Sequence, residues 1–220
     1  GLADHYDTNS EYNGANSRDV GEWDVMANGA DCNYGLTPVG YSAFERHVLG
    51  FCNPEVLSVA GSYSLDAFAT GNKAYILNTG TKDDDFYIEN RQQTGWDRFL
   101  PGHGMLLWRA ETGTTSVWKN NQVNANPSHN YLEMVYCSSS SRNVIDLTSE
   151  STPALQSWAG KAAVLDLYDI TEKDGVVTFN AGKDLYQEQV EDFESTDLVS
   201  SDATGVNGAF CQWDLVNAEI

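Results

Sequence analysis

The chain has 220 residues, enough for one large domain or for one domain with a small appendage. Hydrophobic residues make up 41% of the sequence and aromatic residues 11%, which is enough for a large core and argues against global disorder. The 32 acidic residues outnumber the 12 basic ones and give a net charge of −20, which argues against nucleic acid and anionic membranes as partners, because both require clustered Lys and Arg.

Residues 1–40 predict a loop, because Gly, Asn and Asp dominate this stretch and tolerate turns and left-handed conformations. A loop of this length in a compact domain is usually functional or stabilised by an ion. The next segment, 42–51, predicts a helix. Ser42 is a suitable N-cap, Glu45 lies three positions later as in a capping box, and Gly50 can end the helix.

The rest of the chain is rich in β-strand signals. Most candidate strands alternate apolar and polar residues or are rich in β-branched and aromatic residues, and turn signals such as Asp174-Gly175 separate them. These strands are predicted at 62–68, 73–79, 85–92, 104–111, 130–137, 162–170 and 175–181. The sequence therefore predicts an α+β fold, in which a loop and a short helix precede a β-rich, antiparallel, sandwich-like subdomain.

The composition divides the chain into two parts. Residues 1–182 form the predicted main domain, with the loop and helix in 1–50 and the β-rich subdomain in 51–182. Residues 183–220 are acidic and weakly patterned, and they predict a linker followed by the start of a further β-module. The sequence has no apolar run near 18 residues and no signal peptide, and it begins with Gly rather than Met, which suggests a piece excised from a longer chain.

Four cysteines lie at positions 32, 52, 137 and 211, and none forms a CxxC pair, so a structural zinc knuckle is not expected. In a secreted protein, four cysteines permit three disulfide connectivities. Cys32 and Cys52 flank the predicted helix and are the favoured pair. The alternative is that all four are free, buried thiols.

Three segments together resemble one family. They are GLADHYDT at 1–8, EWDVMANG at 22–29 and FYIENRQQTGWDRFLPGHGMLLWRAE at 86–111. This ordered set is similar to the secreted, metzincin-like zinc metallopeptidases of the immune inhibitor A type. In that family, a zinc-binding helix ends in HExxHxxGLPDxYD, a WDLMASG turn follows, and a helix of the LSAWEKxxLGW kind comes next, matched here by 41–51. The resemblance covers roughly residues 1–181.

The resemblance implies a parent enzyme that hydrolyses protein or peptide substrates with a zinc-activated water. Such a zinc ion takes two His side chains at i and i+4 on one helix and a third ligand beyond a Gly turn, and the Glu beside the first His is the general base. Gly1 falls on that Gly, and the sequence contains no HExxH. The chain is therefore expected to lack catalytic residues, to be inactive alone, and to depend on the remainder of the parent catalytic domain. The parent is expected to be a secreted or cell-surface multidomain protein.

Asp4 falls at the third-ligand position, and a carboxylate oxygen is a suitable zinc ligand. The alternative is that Asp4 orders the loop. His5 is a competing ligand, but it lies at a variable position of the family and is expected on the surface. Met26 matches the methionine that packs beneath the zinc ion, although an ordinary core methionine would be equally buried. Trp23 and Asp24 are expected to anchor that turn.

Calcium is a further candidate ligand, because oxygen side chains alternate along the first loop at Asp7, Asn9, Glu11 and Asn13. The run 83–85 clusters three aspartates. Neither segment has EF-hand spacing, and the alternative is that both are solvated turns.

Two arginines complete the comparison with the family. Arg91 is expected to be a structural ion-pair partner, and Arg109 stands where many relatives carry a His.

Two other functions remain open at this stage. One is a non-catalytic binding or scaffold module, built as a β-sandwich with calcium-stabilised loops. The other is a decayed pseudo-peptidase. If the chain is instead the peptidase fragment, an exposed apolar patch or a dimer contact is expected on the cleft side, which lacks its covering helices.

Overall fold

The computed structural model of the chain describes residues 1–9, 20–135 and 155–182. The helices are α1 Ala43–Val48, α2 Phe68–Gly71 and α3 Thr115–Lys119, with short 3-10 helices at Gly21–Trp23, Asn28–Asp31 and Gly95–Phe99. The strands are β1 Glu55–Val56, β2 Gly61–Leu65, β3 Tyr75–Asn78, β4 Asp84–Arg91, β5 Gly104–Glu111, β6 Leu132–Met134, β7 Asp166–Lys173 and β8 Val176–Gly182. None of the helices within these ranges is long and apolar enough to cross a membrane.

The strands form two sheets. The larger sheet has the order β1-β3-β4-β5-β6 and is antiparallel except for the pairing of β1 with β3. The smaller sheet has the order β2-β8-β7 and is antiparallel throughout. The predicted α+β class, with a β-rich and mostly antiparallel second part, is confirmed.

The two sheets contribute to one hydrophobic core. Phe86 and Ile88 of β4 and Leu107 of β5 belong to the same buried cluster as Val177 and Phe179 of β8. Successive side chains of a strand point to opposite faces, so Tyr87 of β4 and its neighbours lie on the other face of the larger sheet. The central strands β4 and β5 are therefore buried on both faces.

A second core covers that other face of the larger sheet. The loop before α1 and α1 itself supply Trp23, Val39 and Phe44, which pack with Tyr87 and Trp108 of the sheet. This core holds the N-terminal segment, the turn at 24–29 and α1 against β4 and β5. The residues singled out in the first loop are consequently brought close to α1.

Most predicted elements are present. The capping box of α1 is confirmed, because Ser42 Oγ accepts a hydrogen bond from the Glu45 N–H (3.2 Å) and Glu45 Oε2 accepts one from the Ser42 N–H (2.7 Å). The turn between β7 and β8 is at Asp174-Gly175, where both residues have positive φ. Strand β7 begins at Asp166 rather than at 162, because Ala162 and Ala163 form isolated bridges with other segments.

The predicted pairing of Cys32 with Cys52 is wrong, since both are buried free thiols. Each thiol lies in a different core cluster. Cys32 Sγ faces the Glu22 and Phe99 carbonyl oxygens, whereas Cys52 Sγ donates to the Asn72 carbonyl oxygen at 3.3 Å. Burial raises the pKa of both thiols. Cys137, Cys211 and the predicted linker and β-module at 183–220 lie outside the described residues.

Candidate metal centre

Asp4, the predicted third zinc ligand, lies in an extended segment and is partly exposed. Its carboxylate Oδ2 accepts hydrogen bonds from the Tyr6 hydroxyl (3.1 Å) and from Asn121 Nδ2 (2.6 Å). Its backbone N–H donates in return to Asn121 Oδ1 at 2.6 Å. The hydrogen bond to Asp4 also raises the pKa of Tyr6. Asp4 therefore orders the loop through Asn121, and its carboxylate remains at the surface.

The turn that carries Met26 is held by Asp24. Asp24 is fully buried, and its Oδ1 accepts a hydrogen bond from the Met26 N–H at 2.7 Å. The Asp24 carbonyl oxygen accepts from the N–H groups of Ala27 (3.1 Å) and Gly29 (2.9 Å). A Cβ at Gly29 would collide with this carbonyl and with Val39, so only glycine fits there. Trp23 is buried beside the turn, and Met26 is partly buried.

The Asp4 segment and the Met26 turn are joined through His5. The His5 N–H donates to the Met26 carbonyl oxygen at 2.9 Å. The His5 carbonyl oxygen accepts from Asn124 Nδ2 at 2.7 Å, and Asn124 is itself buried and bonded to Leu132 of β6. These bonds fix the backbone next to Asp4 between the turn and the larger sheet.

The expectation that His5 is a surface residue is wrong, because its side chain has no exposure to solvent. The imidazole ring lies 6.2 Å from the Phe44 ring and 6.1 Å from the Trp118 ring, measured between centroids. Its Nδ1 is 3.0 and 3.1 Å from the two carboxylate oxygens of Asp24. The Nε2 atom is buried and has no hydrogen-bond partner among the described residues. Burial between two aromatic rings and pairing with Asp24 explain why this His is not at the surface.

Glu45 of α1 completes a cluster with His5 and Asp24. The three side chains are buried, and each offers a ligand atom that lies within 4.8 Å of the other two. Glu45 Oε2 is used in the capping box, whereas Oε1 is buried and has no partner among the described residues. Burial, together with the charge of Asp24, raises the pKa of Glu45 to about 9. Across the described residues, this is the one group of three or more side chains with metal-ligand spacing.

Arg91 lies in a second buried polar group beneath α1, as predicted for a structural ion pair. Its Nε and Nη2 donate to the two carboxylate oxygens of Asp97 at 2.8 and 2.7 Å. Its Nη1 is 3.5 Å from Glu89 Oε1. Glu89 also accepts from Trp108 Nε1 (2.7 Å) and from the Ala43 N–H (2.8 Å), which anchors the start of α1 to β4.

The calcium candidates are only partly described. In the first loop, Asp7 Oδ1 accepts from the Asn9 N–H at 2.8 Å, and Asp7 Oδ2 is buried without a hydrogen-bond partner among the described residues. Glu11 and Asn13 lie outside the described residues. The carboxylates of the run 83–85 do not gather around one site. Asp84 accepts a hydrogen bond from the Trp158 N–H, whereas Asp85 accepts one from Asn78 Nδ2.

Two further features border the Asp4 segment and the sheet. An apolar groove of about 340 Å³ lies beside the N-terminal residues, and its lining includes Leu2, Ala3, Phe44, Val48 and Trp118.

Arg109 stands where many relatives of the family carry a His. It forms an ion pair with Glu133 at 2.6 Å and stacks over Trp158. Arg109 is thus a structural partner between β5 and β6.

The sequence predicted Asp4, Met26, Trp23 and Asp24 as neighbours of a metal site, but it missed Glu45. The spacing of Ser42 and Glu45 indicates only a helix cap. The charge of Glu45 was a usable signal, since a glutamate that a helix directs into the core needs a partner that neutralises it.

When the chain is compared with protein-family models, curated proteins and solved structures, none of them matches it.

Proposed function

We propose that this chain is the second part of the catalytic domain of a secreted or cell-surface zinc-dependent metalloendopeptidase. In this proposal, Asp4 is the third zinc ligand, the turn at Met26 lies beneath the ion, and the β-rich part supports both. The substrate is a protein or peptide. The chain alone is inactive, because its sequence lacks the HExxH segment that would bring the two histidines and the general base.

One observation carries the proposal, namely the direct hydrogen bond that joins the segment containing Asp4 to the Met26 turn. The residue after Asp4 donates its N–H to the Met26 carbonyl oxygen at 2.9 Å. Two motifs that are far apart in the sequence are therefore adjacent in the fold. This is the arrangement that a ligand loop above a methionine turn requires.

The surroundings of Asp4 also suit a metal ligand. A ligating carboxylate is usually held by hydrogen bonds from outside the coordination shell, and Tyr6 and Asn121 provide such bonds to Asp4. When bound, zinc would supply a water ionised near neutral pH as the nucleophile. The residues of this chain would position one ligand and exclude solvent from beneath it. A single carboxylate does not hold zinc on its own, so the remaining ligands must come from the parent domain.

The apolar groove beside the N-terminal residues is consistent with a packing surface for the remainder of the parent domain. Its lining by Leu2, Phe44, Val48 and Trp118 matches the apolar face of an amphipathic helix. Burial of such a face would be worth about 25 cal/mol for each square ångström removed from water.

The first test is the DNA upstream of the Gly1 codon. We expect an in-frame HExxH motif whose second His is separated from Gly1 by two residues. A longer chain that includes this motif should cleave an unstructured protein such as casein, and a chelator should abolish the cleavage. Asp4→Ala should remove the activity, whereas the exposed control Asp31→Ala should retain it.

The 220-residue chain should show no zinc-dependent hydrolysis in the same assay. Hydrolysis by this chain that a chelator removes would contradict the proposal. So would a longer chain whose activity survives Asp4→Ala. An upstream start codon without HExxH would instead favour a decayed pseudo-peptidase.

The second candidate is a non-catalytic β-sandwich module with calcium-stabilised loops. Asp7 Oδ2 favours it, because this oxygen is buried without a hydrogen-bond partner in the described part of the chain and calcium is bound by carboxylate oxygens. Calcium binding by the chain, combined with a longer chain that cleaves nothing, would support this alternative.

A further inference from the structure

The region beneath α1 contains more buried negative charge than its basic groups can balance. Asp24, Glu45, Glu89 and Asp97 are each at most 2% exposed, and Arg91 is the guanidinium buried among them. Arg91 is committed to Asp97 and Glu89 by its hydrogen bonds. Asp24 and Glu45 are therefore left to be balanced by something else. Buried carboxylates are costly unless a proton, a basic side chain or a metal ion neutralises them.

The only basic group in contact with Asp24 and Glu45 among the described residues is His5. Its Nδ1 lies at hydrogen-bond distance from both oxygens of Asp24, so Nδ1 carries the proton that is shared with Asp24. In a neutral imidazole, Nε2 then presents a lone pair. Glu45 Oε1 also presents lone pairs, and within the described part of the chain both atoms are buried without a hydrogen-bond partner. Two lone-pair-bearing atoms, which can each accept a hydrogen bond or bind a cation, thus belong to side chains of one cluster, and no described donor reaches either of them.

We propose that His5, Asp24 and Glu45 form a buried structural site for a divalent transition-metal ion, with Zn²⁺ as the ion that fits best. Among the described residues, neither His5 Nε2 nor Glu45 Oε1 has a hydrogen-bond partner, so both atoms are available as ligands. Asp24 lies within the same 4.8 Å cluster and supplies the second negative charge that balances the ion. The site is separate from Asp4, whose carboxylate is at the surface.

The ligand chemistry selects the class of ion. Imidazole nitrogen combined with carboxylate oxygen suits zinc and its neighbours in the first transition row. Calcium and magnesium require six or more oxygen ligands, whereas this cluster offers one imidazole and two carboxylates. Full burial among Phe44 and Trp118 also argues for a structural ion, because a catalytic one keeps a position open to solvent.

An ion at this position would join three separate segments of the chain. His5 belongs to the N-terminal segment, Asp24 to the Met26 turn and Glu45 to α1. Because the ligands come together only in the folded chain, metal binding would stabilise the fold. It would also fix the backbone next to Asp4. A proton shared by His5 and Glu45 is the competing arrangement, and it would leave the chain without metal affinity.

The test uses the full 220-residue chain after treatment with a chelator and removal of that chelator. Titration with ZnCl₂ in a calorimeter should show a single Zn²⁺ bound per chain, and the melting temperature should rise with zinc. His5→Gln and Glu45→Gln should each weaken binding by at least about tenfold. Glu45→Gln is conservative, because its side-chain oxygen can still accept the Ser42 N–H. The controls Asp31→Asn and His103→Gln, both at exposed positions, should bind zinc as the unaltered chain does.

The proposal is overturned if the unaltered chain takes up no Zn²⁺ or if both glutamine variants keep full affinity. X-ray absorption on the zinc-loaded unaltered chain decides the matter should the variants fail to fold. It should show imidazole nitrogen and carboxylate oxygen at about 2.0–2.2 Å. A shell with sulfur from Cys32 or Cys52, or one without imidazole, would contradict the proposal. Because the longer chain and Asp4 do not enter this test, its failure leaves the proposed peptidase function standing.

Discussion

At the residue scale, Arg91 is the buried charge on which the packing of α1 against the sheet depends most directly. It donates two hydrogen bonds to Asp97 and approaches Glu89, and Glu89 in turn accepts the Ala43 N–H at the start of α1. Removing one partner of a buried ion pair leaves an uncompensated charge, and this usually costs more than the pair itself contributes.

We expect Arg91→Met to lower the free energy of unfolding by about 3–5 kcal/mol, because Asp97 and Glu89 would lose their balancing charge. Urea denaturation followed by circular dichroism measures this change. The matched control is Arg98→Met, an exposed residue whose guanidinium donates one hydrogen bond to Thr37 Oγ1 (3.2 Å) and whose loss should cost only about 1 kcal/mol. Equal losses in the two variants would show that Arg91 contributes no more than a surface arginine.

The contrast between Arg91 and His5 shows how far single residues could be predicted. The partners of Arg91 lie two and six residues away, so the local sequence already indicated an ion pair. His5 is buried by Phe44 of α1 and Trp118 of α3, and these come from segments distant in the chain. Local sequence carries no information on that contact, and the resemblance to a family placed His5 at a variable surface position.

At the element scale, α1 is the short helix that links the candidate site to the sheet. It has six residues, and isolated helices of this length are not stable in water. Its capping box and the burial of Ala43, Phe44 and Glu45 hold it in place. The same Glu45 side chain caps the helix through Oε2 and places a carboxylate oxygen within 4.8 Å of the ligand atoms of His5 and Asp24.

We expect Ser42→Ala to reduce the free energy of unfolding by about 0.5–2 kcal/mol, the usual cost of losing an N-cap hydroxyl. Because Ser42 is fully buried, no water can replace the lost acceptor of the Glu45 N–H, and the loss should lie near the upper end. Thermal and urea unfolding provide the measurement. Ser64→Ala, on the exposed face of β2, is the control and should change stability by less than about 0.5 kcal/mol. An unchanged Ser42→Ala protein would mean that the cap contributes nothing.

The elements that the sequence predicted well are those with strong local signals. Strands β4 and β5 each contain a central apolar and aromatic run, at 86–88 and 105–108, and their predicted positions agree with the structure to within one residue at each end. The short elements β1, α2 and α3 were missed because each has five residues or fewer, which is too short to show a periodic pattern. Helix α2, for example, has four residues and buries Phe68 beneath Arg46.

At the scale of the whole molecule, the smaller sheet unites distant parts of the chain. Strand β2 belongs to the first third of the sequence, whereas β7 and β8 belong to the last third. Strand β8 lies in the middle, pairs with both neighbours, and contributes Val177, Phe179 and Ala181 to the core between the sheets. This pairing order follows from the fold and could not be predicted from strand signals alone.

The position of β8 predicts where the chain can be shortened. Every strand pairing in the described residues lies within 1–182, so a chain ending at Gly182 keeps both sheets and both cores. We expect this truncation to change the melting temperature by no more than about 4 °C, equivalent to roughly 1 kcal/mol for a domain of this size. Ending the chain at Gly175 removes β8, exposes the core side chains of β2 and β7, and should abolish cooperative unfolding. Calorimetry of the two truncated chains gives the comparison, and a large loss of stability on removal of 183–220 alone would show that this region is part of the folding unit.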